Sequence, residues 1–127
     1  MSIWINYNIE ERLRAILAAQ SVNHHFGSHL FITAYQLAIE FERNHPKDFA
    51  AIGMPIGGEG TGTPNSFSQY TARELSQRIK AGSITDIEGS FLGNLNLHEI
   101  TFDSPSGLVT SSLTGSQYPV SIYRLRD

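Results

Sequence analysis

Thr33-Ala-Tyr-Gln-Leu-Ala-Ile-Glu-Phe-Glu-Arg-Asn44 is the stretch on which the fold turns. Thr33 and Gln36 form a T-x-x-Q capping box, in which a hydroxyl and an amide satisfy the first free N–H groups of a helix. Behind the box, Ala34, Leu37, Ala38 and Phe41 fall on one stripe, and Tyr35 and Ile39 widen it until only a narrow polar face is left. The pattern predicts a helix over 33–44 that is buried on most sides and serves as the centre of the core. His45-Pro46 ends it, because the residue before proline is pushed out of the helical region. Pro46 is suited to open a further short turn carrying Phe49 and Ile52, which Gly53 closes.

Toward the N-terminus, His29-Leu-Phe-Ile32 reads as a short strand, and Asn23-His-His-Phe-Gly-Ser28 as a break. A helix over 9–22 precedes it, with Asn8 as N-cap, Glu11 at the capping-box position and Ile9, Leu13, Ile16 and Leu17 facing inward. Toward the C-terminus, residues 53–65 hold five glycines and two prolines, a density that resists regular structure. A third helix is expected over 66–80, capped by Asn65 or Ser66 and stopped by Gly82; its start could slip to Thr71, which makes a second box with Glu74. Between Ser83 and Asn96 the signals conflict. Ile84, Ile87, Phe91 and Leu95 have helical spacing, but Gly89 and Gly93 oppose a helix. The remainder alternates like antiparallel strands, over about 97–103, 108–113 and 119–125, with a Ser104-Pro-Ser-Gly107 turn between the first two. The expected fold is therefore α+β: a three-helix N-terminal part followed by a small antiparallel sheet, in one domain spanning 1–127.

Seven Phe, five Tyr and one Trp among 40% apolar residues suffice for one core in 127 residues, and 17% charged residues is too little for a disordered polyelectrolyte. The absence of cysteine excludes disulfides, thiolate metal sites and a thiol nucleophile. Met1-Ser-Ile-Trp-Ile-Asn6 has no basic segment leading into an apolar run, and no stretch is long enough to span a bilayer, so a cytoplasmic protein without a membrane partner is expected. A net charge of −3 disfavours nonspecific nucleic-acid binding but leaves room for a local basic face.

Three groups of residues invite a chemical reading. Gly57-Gly-Glu-Gly-Thr-Gly-Thr63 ahead of a helix suggests a phosphate cradle, and the run is similar over seven residues to the glycine signature of the tubulin-like GTPases. It has no Lys-Ser/Thr ending, and Glu59 puts a carboxylate where a phosphate would come, so a flexible connector is expected and no cofactor. His24, His25 and His29 lie close in sequence, but Gly27 and Ser28 oppose the helix that would align the last two, and a metal site would need a remote ligand such as Glu40, His45 or His98. A polar turn without metal is expected. No G-x-S-x-G elbow nominates a nucleophile, so no catalytic residue is assigned.

The third group lies on the helix over 66–80. At 100° per residue, Ala72, Leu75 and Ile79 point to the core with Ser68 and Thr71 beside them, while Gln69, Arg73, Gln77 and Lys80 share the opposite side. Arg and Gln make bidentate contacts to guanine and adenine edges, and Lys holds a phosphate. A capped helix, a short strand, the helix opening Thr33-Ala-Tyr-Gln-Leu-Ala38, the helix with Tyr70-Thr-Ala-Arg-Glu-Leu75 and then a hairpin together resemble the winged helix-turn-helix family. The resemblance implies that the third helix enters the major groove of double-stranded DNA through Gln69, Arg73, Gln77 and Lys80. It also implies that a wing with its tip at Ser104–Gly107 touches the flanking backbone. A DNA-binding regulatory module, acting as a homodimer, is the expected function. A protein-docking module of the same fold is the alternative, and a small enzyme built on the glycine loop or the histidines comes third.

Overall fold

Thr33 and Gln36 cap a helix reciprocally: the Thr33 hydroxyl accepts from the Gln36 N–H at 3.1 Å, and the Gln36 side chain accepts from the Thr33 N–H at 2.7 Å. In the computed structural model, which describes residues 2–58, 65–112 and 119–126, this helix is α3. The elements run α1 (Ile3–Asn6), α2 (Ile9–Ala18), β1 (Val22–Asn23), β2 (Ser28–His29), β3 (Ile32–Thr33), α3 (Ala34–Asn44), α4 (Pro46–Ile52), α5 (Phe67–Ala81), β4 (Ile87–Leu92), β5 (Thr101–Ser104), β6 (Gly107–Thr110) and β7 (Val120–Leu125). The chain is thus α+β, with the helices mostly first and the longer strands last.

Every side chain of the predicted α3 stripe is buried, including Tyr35 and Ile39. Pro46 opens α4 and Gly53 closes it in the left-handed region, as its sequence signals require. Around α3 gather Leu13 and Leu17 of α2, and Phe67 and Leu75 of α5, all fully buried. Phe67 meets the Phe41 ring at 4.9 Å and stands edge-on to Phe49 at 5.6 Å, so the start of α5 is wedged between α3 and α4.

The strands form three antiparallel sheets: the β1–β2 hairpin, the β5–β6 hairpin, and a sheet ordered β3-β7-β4. In the last, Tyr123 lies opposite Ile32 on one side and Gly89 on the other. Its hydroxyl donates to the Ala72 carbonyl at 3.1 Å and lies 2.8 Å from the Ser76 hydroxyl, joining the sheet to α5. Arg14 of α2 reaches Asp86, just before β4, at 2.6 Å and holds that carboxyl below its ordinary range.

Several sequence expectations need correction. The helix over 9–22 stops at Ala18, where the Gln20 side chain donates to the Ile16 carbonyl, and Val22 turns into a strand instead. Asn8 does not cap through its side chain; it links α1 to α2 at a φ of 50°, a conformation Asn tolerates, and Glu11 pairs with Arg14. The strand expected over 29–32 splits into β2 and β3. The undecided stretch 83–96 contains β4, because six residues find partners on β7. The strand over 97–103 shrinks to β5, and that over 108–113 to β6, with Leu113 outside the described residues. β7 pairs with β3 and β4 rather than continuing from the β5–β6 hairpin.

Glu42 of α3 borders a cavity of about 300 Å³ walled by Phe49, Ile56 and Val109. Its Oε1 is occluded and has no hydrogen-bond partner among the described residues. Burial pushes this carboxyl above its ordinary range, against the opposing pull of Arg43. A carboxyl whose affinity for a proton is raised by folding stabilises the fold below its unfolded pKa and loses that contribution as pH rises through the folded value. Glu42→Gln, which stays neutral, should therefore gain melting temperature relative to wild type as pH rises from about 4 to 7. Burial, followed by Arg12, depresses the affinity of His45 for its proton. That term favours stability above the ordinary His range and is lost toward acid in both proteins, so it cancels in the comparison. A constant difference between the two melting curves across this range would contradict the assignment.

Candidate nucleic-acid interface

Three of the first backbone N–H groups of α5 are already used. Phe67 donates to the Pro55 carbonyl at 2.7 Å, Ser68 to the Ile56 carbonyl at 3.0 Å, and Gln69 to the Ser66 hydroxyl at 3.2 Å. Ser66, not Asn65 or Thr71, is the N-cap, and Gly82 ends the helix in the left-handed region. These bonds fix the start of α5 against the segment that leads into the glycine loop.

The buried side of α5 is Phe67, Ser68, Thr71 and Leu75. This is rotated from the expected stripe, since Ala72 and Ile79 are only half-buried while the Ser68 and Thr71 side chains lie in the interior. The opposite face is as expected: Gln69, Arg73, Gln77 and Lys80 are all exposed. The Arg73 guanidinium lies 5.6 Å from the centre of the Tyr70 ring, which limits its freedom without neutralising it.

The charges around this face are sorted by pairing. Arg78 bonds Glu74 at 3.2 Å and lies 4.5 Å from the Trp4 ring centre, so neither Arg78 nor Glu74 contributes a free charge. Of the nine Lys and Arg residues, only Lys47, Arg73 and Lys80 have no carboxylate partner among the described residues. Two of these three lie on the outward side of α5. Arg78 lies outside the set expected on the outward face, and its pairing with Glu74, four residues earlier, is a common helix-surface contact.

The turn Ser104–Gly107 does close a hairpin, and the Ser104 hydroxyl donates to the Gly107 carbonyl. This hairpin packs on α3, where Phe102 stacks on Tyr35 at 5.5 Å, and the strands that follow α5 into its own sheet are β4 and β7. From Gly93 to Pro119 the sequence contains no Lys or Arg. The flanking element expected at 104–107 is therefore displaced, and its chemistry does not suit phosphate.

His24 and His25 occupy the exposed turn between β1 and β2, where the Asn23 side chain accepts from the His25 and Phe26 N–H groups. His29 stands in β2, and His45 joins α3 to α4 with its ring against Phe41. Among the described residues no three His, Asp or Glu side chains converge as metal ligands.

The glycine loop is described only at its ends, and its centre at 59–64 lies outside the described residues. Gly57 is buried and Gly58 half-buried, contrary to a free connector beginning at Gly57. A Cβ on Gly57 would lie 2.6 Å from the Ser68 hydroxyl, and one on Gly58 2.5 Å from the Thr110 carbonyl oxygen. Both have positive φ, so this segment approaches α5 and β6 too closely for any side chain. The N–H groups of Phe67, Ser68 and Gln69 are engaged as well, so the start of α5 does not offer these three donors to an anion. Gly58→Ala should cost about 1–3 kcal/mol in denaturant unfolding, whereas Gly93→Ala, which meets open space, should stay within about 0.5 kcal/mol. Equal effects at the two positions would show that the close approach carries no energetic weight.

No helix among the described residues is long and apolar enough to cross a membrane. No family model, curated protein or solved structure matches the chain.

Proposed function

We propose that this chain is a cytoplasmic regulatory module, winged-helix-like in design, that binds double-stranded DNA by laying α5 in the major groove. The observation that carries the reading is the outward face of α5, where Gln69, Arg73, Gln77 and Lys80 are exposed together and both cations lack a carboxylate partner among the described residues. The element order supports it: α2, β3, α3 and α5 are followed by the antiparallel pair β4–β7, with β3 on the other side of β7. The back of α5 is anchored at Phe67 and Leu75, so the helix is held by buried contacts and binding pays for ordering side chains but not the backbone.

An acidic protein has little long-range attraction for DNA, so binding must concentrate on this face. Gln69, Arg73 and Gln77 would read base edges, and Lys80 would hold the backbone. A second reading, docking of a protein, is favoured by one observation: Phe91, Leu92 and Leu95 are 66%, 37% and 85% exposed in and just after β4.

Arg73→Ala is expected to weaken binding to a site selected from a random duplex pool by about 1–3 kcal/mol and to relax preference at one position. Lys80→Ala is expected to weaken all duplexes alike and to lower the salt slope by about one unit, as one fewer counterion is released. Both side chains are exposed, so melting temperature should hardly move. A pool that yields no enriched sequence at low salt, or an unchanged affinity in Arg73→Ala, would transfer the function to the protein-docking reading.

A further inference from the structure

In the sheet ordered β3-β7-β4, β4 has a neighbour on one side only among the described residues. All six of its residues face β7, and Gly89, Ser90, Phe91, Leu92 and Gly93 are exposed. An edge of this kind presents a row of unpaired N–H and C=O groups that specifically fits another strand. Edges that must stay single are usually guarded by Lys, Pro, a bulge or a covering loop. The sequence Ile87-Glu-Gly-Ser-Phe-Leu92 has neither Lys nor Pro, and its register with β7 runs without a bulge. Its one charge, Glu88, is already bonded to Arg124 and Arg126 of the same chain.

Beside this edge lies a groove of about 240 Å³ between α5 and β4, lined by Ile79, Lys80, Gly89, Phe91 and Tyr123. At Gly89 its floor is the Tyr123 ring, which passes 3.0 Å from where a Cβ would be. Phe91, two residues on, stands on the same face of the sheet.

We propose that two copies of this chain pair through β4, antiparallel about a two-fold axis at Ser90, so that each Phe91 ring packs in the groove against the Tyr123 ring that covers the other copy's Gly89. With Ser90 on the axis, Phe91 falls opposite Gly89 and Leu92 opposite Glu88. Directly opposed positions bring Cβ atoms within about 5 Å, which seats the ring between Ile79 and Tyr123. The fit is reciprocal, as a two-fold interface demands. No charge meets a like charge across the pair, since each Glu88 faces an apolar residue and keeps its own two arginines. An aromatic ring buries about 150–250 Å² when enclosed, and the two rings flank a central ladder of main-chain hydrogen bonds. A helix of another protein could cover Phe91 but would leave the hydrogen-bonding row unmet, which favours a second β4 as occupant. The pairing does not depend on DNA binding, and either proposal can fail without the other.

The test uses the chain's lack of cysteine. Wild-type protein should sediment as a monomer–dimer equilibrium. Phe91→Glu, a change at an exposed position, should weaken the dimer at least roughly thirty-fold, the effect of a central anchor residue, with unchanged melting temperature. Independently, Ser90→Cys should form a reducible cross-linked dimer under mild oxidation, since opposed strand positions match disulfide geometry, and faster than Ser106→Cys on the exposed β5–β6 turn. A wild-type chain that remains monomeric up to about 1 mM, or a dimer that survives Phe91→Glu, would overturn the proposal. So would Ser90→Cys cross-linking no faster than Ser106→Cys.

Discussion

The insertion of Phe67 between Phe41 and Phe49 determines where everything after residue 66 can go. Phe67 is the first residue of α5, and its own N–H is tied to the Pro55 carbonyl at 2.7 Å. Burying such a ring contributes about 1.5–3 kcal/mol, and its aromatic pairs add about 0.5–1.5 kcal/mol each. The Arg78–Glu74 pair on the same helix, at i,i+4 spacing, contributes about 0.3–0.5 kcal/mol. The position and rotation of α5 are thus decided at its buried side, and the polar face follows from that orientation.

From α5 the constraint passes to the sheet through Tyr123. Its ring fills the space over Gly89, and its hydroxyl reaches Ala72 and Ser76, so β7 is located by the helix and β4 by β7. Arg14 and Asp86 hold the lead into β4 from the other side. One result is that the molecule presents two unlike surfaces close together: a cationic and amide-rich helix face, and an apolar, unguarded strand edge. Stability resides in the buried contacts behind both, which leaves the exposed residues of each free to serve recognition.

Much of this was legible locally. The Thr33–Gln36 box, Pro46, Ser66 and Gly82 mark helix ends by chemistry that acts within a few residues, and all four function as their types require. The outward set Gln69, Arg73, Gln77 and Lys80 followed from helical geometry alone. What escaped depends on partners far along the chain. β4 was masked by the helical spacing of Ile84, Ile87, Phe91 and Leu95, and it is a strand because β7, about thirty residues later, supplies the ladder. Gly57 and Gly58 looked like slack, yet they are required by Ser68 and by Thr110 on β6. At 100° per residue Ser68 and Thr71 fall beside a stripe centred on Ala72, Leu75 and Ile79, whereas packing around Phe67 turns both inward.

Whether the outward face of α5 reads DNA, as proposed, is decided by a titration followed by nuclear magnetic resonance. Labelled protein would be mixed with a duplex carrying the sequence enriched from a random pool. The account predicts that the side-chain signals of Gln69, Arg73 and Gln77 and the backbone amides around them shift, while those of the β5–β6 hairpin stay in place. Shifts confined to Phe91–Leu95, or none at all at low salt, would contradict it.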